Sequence, residues 1–514
     1  MNLMHSGTVL AMLSLAVACQ TAEGTSIMTA DMPTPIVFQS EPNEFTGTPD
    51  CRAMQFKLNG GELFANKKPL GAQGALLLRI HATTPDTTAV EVTLHQSDGK
   101  VWGSSSLFID TQWNDIILPF TDMKYFSHWG NLPPIETEEI FDETKLVSLR
   151  FCFGKWLCND SLDKPHGFEI EAVKIIQLPP EYSSDGQDHS LDDFPKLEGE
   201  EDDSPRIRRA ILATPQGVLT IPRGTYKIAT PIRIVNNCSL EMNKNTILKA
   251  TEPMDTVLTI LAANQKRHDY GIFLHGGIID GNGIASCVRI KGFAHYTMSD
   301  ASVLNGKEYG LRVDGGYELI CNNVYAKCLM PGLAGNSAFL INGGDSHYTD
   351  CIVVDYTIGF DVRSGGSNRL TRCHVWGGPI ASPAPGEPRE MLKDSINFRI
   401  NASSTILRDC YADTGQTGYE INGWETRLLG CSYFSNKAFG LDNITIIKHT
   451  KGRLLVSEGA FVKTAPHVKV YEGCGTVEWC NMIYSGFTDE DDCPGALKFN
   501  KKSAVDQPAV KLAD

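Results

Sequence analysis

The sequence predicts an all-β protein, a long parallel β-helix solenoid preceded by a β-sandwich. Three observations point there. Two residue columns recur through residues 337–437 in one shared phase, which is the mark of an internal repeat of one coil. Residues 36–180 hold a separate series of alternating strands. The composition has 47 Gly and 26 Pro in 514 residues and few amphipathic helical stretches, as turn-rich β structure requires. A chain of this length exceeds one ordinary compact core, so two or three units are expected unless a solenoid takes most of it.

The repeat is carried by AFLINGGDSHYTDCIVVDYT, GFDVRSGGSNRLTRCHVWGG and GYEINGWETRLLGCSYFSN. Each segment opens on a short alternating strand, turns on Asn, Gly or Ser, and runs into a second strand built around a Cys. Ala338, Gly359, Asn397 and Gly418 form one column, spaced 21, 38 and 21 residues; Cys351, Cys373, Cys410 and Cys431 form the other, spaced 22, 37 and 21. The common long step is a loop, 377–394, in which Pro379, Pro383, Pro385 and Pro388 block strand continuation. The four Cys occupy one inward slot of successive coils and are expected as stacked thiols. Cys152 with Cys158, and Cys474 with Cys480 or Cys493, are the expected disulfides of an exported chain.

Within 36–180 the runs ALLLRIHATT, AVEVTLHQSD, SLFIDTQWNDIILPF, LVSLRFCFG and GFEIEAVKIIQL alternate or run apolar between turns. Trp102, Trp113, Trp129 and Trp156 lie there, as core residues or as platforms for sugar rings. Residues 181–203 carry ten acidic residues and one Lys and read as an extended, mobile linker. The solenoid is expected over 204–460, with a cap and polar tail over 461–514. At the other end, 1–19 read as an export signal: an apolar run Val9–Ala18 precedes Cys19, the residue a lipoprotein-type signal would lipidate, although no Lys or Arg precedes the run. The chain is then expected at the cell surface or secreted, touching a membrane only through that lipid. No later apolar run reaches ~20 residues. A formal charge of −15 excludes a nucleic-acid backbone as partner. No His/Cys spacing marks a zinc site.

Asp202-Asp203-Ser204 leads into Ile207-Arg208-Arg209-Ala210-Ile211 and then Gly217-Val218-Leu219-Thr220-Ile221-Pro222-Arg223-Gly224-Thr225-Tyr226. With Gly276-Gly277-Ile278-Ile279-Asp280-Gly281-Asn282-Gly283, CHVWGG (373–378) and CYADT (410–414), this stretch resembles the pectate-lyase superfamily, in particular right-handed β-helices related to glycosyl hydrolase family 28. The resemblance covers about residues 200–460. It implies a short helix closing the open end of the solenoid and an activity on polysaccharide. Trp113 to Phe120 and Gly167 to Glu171 resemble jelly-roll domains of the carbohydrate-binding-module type. The polygalacturonase residues do not carry over, because Asn-Thr-Asp and Gly-His-Gly are absent and Arg289-Ile290-Lys291 comes early in the helix.

Alternation sends two ribbons of side chains outward. In the first strands they are Arg289, Arg312, Leu340, Asp361, Arg399 and Glu420, then Lys291, Asp314, Asn342, Arg363, Asn401 and Asn422. The three Asn are expected to begin turns, in left-handed geometry. Asp361 and Glu420 would be a carboxylate pair two coils apart, about 9.6 Å, at the outer limit for an inverting hydrolase; Arg312, Arg363 and Arg399 would bind an acidic sugar. In the second strands the outward residues are His374 and Trp376, then Tyr411 and Asp413. A His beside an Asp, with two aromatic rings, has the ingredients for acid–base work on a stacked sugar. The expected function is cleavage of glycosidic bonds in an extracellular, uronate-containing polysaccharide, by hydrolase or lyase chemistry. The alternative is a non-catalytic glycan-binding or adhesive β-helix. No cofactor is expected, save Ca2+ if the chain is a lyase, and a homo-oligomer is left open.

Overall fold

Each coil of the solenoid carries three strands, not two. One coil runs through Ile358–Ser364, Arg369–Thr371 and His374–Trp376 before Ile396–Ile400 begins the next. Successive coils pair in parallel and build three sheets, here numbered in the order a coil visits them: among the described residues, sheet 1 has ten strands, sheet 2 twelve and sheet 3 eleven. The computed structural model describes residues 28–29, 36–40, 52–57 and, with gaps, 60–153, 165–178 and 187–495; the longest gaps are 127–136, 262–271, 378–393 and 436–442.

The first strands form sheet 1. There Phe339, Phe360, Phe398 and Tyr419 are register partners whose rings stack at 4.4, 5.5 and 5.2 Å. A 21-residue step therefore repeats one buried ring per coil, next to the column Ala338, Gly359, Asn397 and Gly418. Gly359 and Gly418 are needed there, since a Cβ would meet the Asn397 carbonyl at 2.4 Å and the Tyr433 ring at 2.6 Å.

The Cys ladder is buried, as expected, but no strand is built around it. Cys351, Cys373, Cys410 and Cys431 sit at the sharp corner between sheets 2 and 3. Asp350, Arg372, Asp409 and Gly430 precede them at φ of 54°, 52°, 53° and 65°. One left-handed residue turns the chain, and the next side chain then points into the core. Burial pushes the Cys373 and Cys431 thiols up. Cys474, in the bend before strand Thr476–Cys480, and Cys480, at the far end of that strand, are free thiols; the strand alone spans roughly 13 Å, too far for a bridge. No disulfide joins Cys474 or Cys480 to Cys493.

Residues 187–203, expected as part of a mobile linker, close the solenoid. His189–Ser190 adds a parallel strand to sheet 2, and Leu191 is fully buried. Ser190 and Asp193 cap each other's backbone in a capping box. The acidic side chains meet the basic helix Ser204–Ala213: Glu200 binds Arg209, while the Leu191 carbonyl accepts from Arg206 at 2.9 Å. That helix turns Ile207, Ala210 and Ile211 into the core and covers an otherwise open sheet end. Beyond 460, Val468–Gly473, Thr476–Cys480 and Ile483–Ser485 make another coil where a cap was expected.

Ahead of the solenoid lie two antiparallel sheets. Strands His166–Gln177, Gly74–Ala82 and Asn114–Pro119 anchor one, and Leu146–Phe153 and Ala89–Gln96 the other. One apolar cluster joins them, from Leu78 and Phe168 to Val92 and Phe151. Trp102 belongs to this core, its Nε1 donating to Gln96 Oε1 at 2.9 Å. Trp113 is half-buried, against His81 at 4.2 Å and Arg79 at 5.6 Å; Trp129 and Trp156 lie outside the described residues. The outer face of this unit docks on the solenoid. Leu77, Ile117 and Ile176 pack with Leu212 of the closing helix, and Lys291 donates to the Ile109 carbonyl.

Inside this unit, burial, with Arg150 adding to it, lowers His95 to about 4. An unfolded His binds its proton near 6.5, so between those values the unfolded chain holds more protons than the folded one. Stability present above pH 6.5 is therefore lost as the pH falls toward 4. The thermal midpoint should drop over that window, and His95→Gln should flatten the drop; an unchanged slope in the variant would contradict the assignment.

Candidate active site

The first ribbon lies on sheet 1. Arg289, Arg312, Leu340, Asp361, Arg399 and Glu420 are successive register partners. The neighbouring column slips at a bulge, where Asn342 pairs with Ser364 and not with Arg363. Asn342, Asn401 and Asn422 are not left-handed; on the first two of those turns the positive φ belongs to Asp345 and Ser404. Asn422 Nδ2 does ladder onto Asn401 Oδ1 at 2.8 Å.

Charges along this ribbon are mutually consumed. Asp314 accepts from Arg289 Nε at 2.7 Å, Arg312 Nε at 2.9 Å and Asn342 Nδ2 at 2.9 Å. Burial would raise its carboxyl, but the two guanidinium charges outweigh burial and hold it below the usual range. Arg363 Nε reaches Asp361 Oδ2 at 2.8 Å; Arg399 stands between Asp361, at 3.9 Å, and Glu420, at 3.1 Å. Asp361 is 0% exposed, so it cannot reach a glycosidic oxygen in this arrangement. The expected carboxylate pair is thus split by an Arg, and one member is shut off from solvent.

The second ribbon, on sheet 3, is different. Register places His374 against Tyr411 and Trp376 against Asp413 on adjacent coils, with Val375 and Ala412 between them turned inward. The His374 ring stacks on Tyr411 at 4.7 Å and 14°. His374 Nε2 lies 3.7 Å from Asp413 Oδ2 and has no hydrogen-bond partner among the described residues. Asp413 Oδ1 accepts from Thr414 Oγ1. Burial first, then the Asp413 carboxylate, push the Tyr411 phenol up to about 12. Tyr411 therefore keeps its proton at neutral pH and is a donor, not a base. The 377–394 loop leaves directly after Trp376, but 378–393 lie outside the described residues.

Two features were not anticipated. Asn397, buried in the inward column, donates from Nδ2 to the Val375 carbonyl at 3.0 Å and the Asp413 carbonyl at 3.3 Å. It braces from inside the two strands that display the ribbon. Trp424 is 70% exposed, on the turn from sheet 1 to sheet 2. Among the described residues, no group of three or more His, Cys, Asp or Glu side chains is arranged to hold a metal ion, and no helix is long and apolar enough to cross a membrane.

A family model described as a right-handed beta helix region matches residues 286–451. Fold and match together define a right-handed parallel β-helix protein with an antiparallel β unit ahead of the helix. No curated protein matches this chain. Among solved structures, it is similar to an endo-xylogalacturonan hydrolase from Aspergillus tubingensis, at 13% identity and TM-score 0.40, over 62% of this chain and 94% of that one. It is similar to the enzymatically active domain of bacteriophage CBA120 tailspike protein 2, at 11% and 0.41, over 62% and 48%. PfbA, a surface adhesin of Streptococcus pneumoniae, matches at 11% and 0.35, over 59% and 92%.

Proposed function

We propose that this chain cleaves glycosidic bonds in a uronate-containing polysaccharide, with its acid–base groups on the sheet 3 ribbon. The observation that carries the reading is the half-exposed His374 imidazole, stacked on Tyr411 and facing the Asp413 carboxylate at 3.7 Å. An imidazole can both take and return a proton. Asp413 stabilises the imidazolium that forms, Tyr411 offers a phenolic proton, and Trp376 presents an apolar ring beside them. One base, one donor and a single nearby carboxylate suit β-elimination better than hydrolysis, which calls for two carboxyl groups. In that step His374 takes the proton next to the uronate carboxylate. The electron pair forms a C=C bond as the glycosidic C–O bond breaks, and Tyr411 protonates the departing oxygen. The sheet 1 arginines are tied to carboxylates in this arrangement and are not assigned to substrate.

Export, with a lipid on Cys19, belongs to the same proposal and rests on sequence alone, since 1–27 lie outside the described residues. Incubation with a panel of acidic polysaccharides tests the reaction, following new reducing ends and ultraviolet absorbance together. Elimination gives both signals and hydrolysis only the first. The second reading, glycan binding without cleavage, has in its favour that the depressions around Pro253–Asp255 and around Arg369 and Arg427 are open to solvent and not enclosed; silence across the panel would shift the conclusion to it.

A further inference from the structure

We propose that the corner between sheets 1 and 2 around Trp424 is a second glycan subsite, separate from the His374 ribbon, that takes an acidic sugar. The inference holds whether or not the chain cleaves its ligand. An indole that is 70% exposed on a solenoid turn leaves a large apolar face in water. Its backbone is pinned, not loose. Gly423 N donates to the Ile400 carbonyl at 2.9 Å, and the Trp424 carbonyl accepts from Arg453 N at 2.8 Å. The coils above and below leave no room for a side chain on either flank: a Cβ on Gly423 would meet the Ala402 carbonyl at 2.1 Å, and one on Gly452, at φ +84°, the Trp424 carbonyl at 2.4 Å. A ring carried on a backbone fixed this firmly, and left uncovered, can receive a flat apolar face.

Beside it, on sheet 2, lies a depression of about 210 Å³ lined by Ser367, Arg369, Ser404, Ile406, Glu425 and Arg427, together with Thr405. Arg369, Ile406 and Arg427 are register partners on three consecutive coils, so the two guanidiniums stand two coils apart, roughly 9.6 Å. Arg427 is paired with Glu425 at 2.8 Å; Arg369 is exposed and makes no ion pair among the described residues. An apolar ring, hydroxyls at Ser367 and Ser404 and an uncompensated guanidinium match, group for group, a pyranose with an apolar face, hydroxyls at its rim and a carboxylate. A neutral sugar would leave Arg369 unused, and an apolar partner would leave the serines and both arginines to be desolvated.

The test is affinity electrophoresis of the full chain in native gels containing polygalacturonate, alginate or hyaluronate, with methyl-esterified polygalacturonate as the uncharged counterpart. At least one acidic polymer should retard the wild type, and for that polymer Trp424→Ala should weaken binding about tenfold. Arg369→Gln should weaken binding of the acidic polymer similarly and leave the esterified polymer unaffected. Lys227→Gln, an exposed cation on the first strand of sheet 3 and far from this corner, should bind like wild type, which ties the loss to the subsite. Both substitutions lie on the surface, so an unchanged melting midpoint excludes misfolding as the cause. The proposal is overturned if no acidic polymer retards the wild type, if both variants bind like wild type, or if Trp424→Ala alters only the sedimentation coefficient, which would make this surface a contact between copies of the chain.

Discussion

Asp413→Asn is expected to lower the rate of polysaccharide cleavage at least a hundredfold, about 2.7 kcal/mol of barrier, while circular dichroism stays that of the wild type. The Asn is isosteric and still accepts the hydrogen bond from Thr414, so strand Tyr411–Asp413 keeps its place. What is lost is the negative charge 3.7 Å from His374 Nε2. If that charge stabilises the imidazolium, the loss falls on the rate of the proton-transfer step more than on substrate affinity. A variant with wild-type turnover and weaker binding would mean that Asp413 only holds sugar.

Phe360→Ala should cost about 3–5 kcal/mol of stability and shift the denaturant midpoint accordingly. Phe360 is the inner member of the stack, with Phe339 at 4.4 Å on one side and Phe398 at 5.5 Å on the other, and it is fully buried. Its neighbours cannot collapse into the space, because their backbones are locked in parallel register one coil away on each side. In a solenoid each coil rests only on its neighbours, so loss at one layer breaks the array there. Phe126, at the edge of the antiparallel unit, makes no such stack among the described residues and should cost less when truncated.

Much of this fold was legible because a solenoid repeats its contacts at fixed sequence intervals. The column Ala338, Gly359, Asn397 and Gly418 and the Cys column are buried in each of the four coils that carry them, and a buried position shows in the sequence as a constrained residue type. The third strand of each coil was not legible. Arg369–Thr371 is three residues long, with one buried Leu between two polar residues, and so short a run carries no alternation to detect. The corner before each Cys left only a faint signal, since Arg372 takes a left-handed conformation usually held by Gly, Asn or Asp.

Segment 187–203 was misjudged on composition. Charge density dominates it, yet Leu191 and Phe194, three residues apart, are what attach it to the core.

For the site, alternation correctly sorted which side chains face outward, including His374, Trp376, Tyr411 and Asp413. It could not report what packs over an outward position, and so the burial of Asp361 was invisible. Nor could it separate the two ribbons chemically. That difference lies in distances: one ribbon's charges are spent on one another, while the other leaves an imidazole nitrogen without a hydrogen-bond partner among the described residues. Trp424 stands in a Gly-Trp-Glu turn with no apolar pattern around it, and only its exposure sets it apart.

The most direct test of the assignment to sheet 3 is a side-by-side rate measurement of His374→Ala and Glu420→Gln on whichever acidic polysaccharide the wild type cleaves. His374→Ala should lose at least a hundredfold. Glu420→Gln, which removes one arm of a surface charge ladder, should stay close to wild type. The reverse pattern, an inactive Glu420→Gln and an active His374→Ala, would contradict the account and move the chemistry to sheet 1.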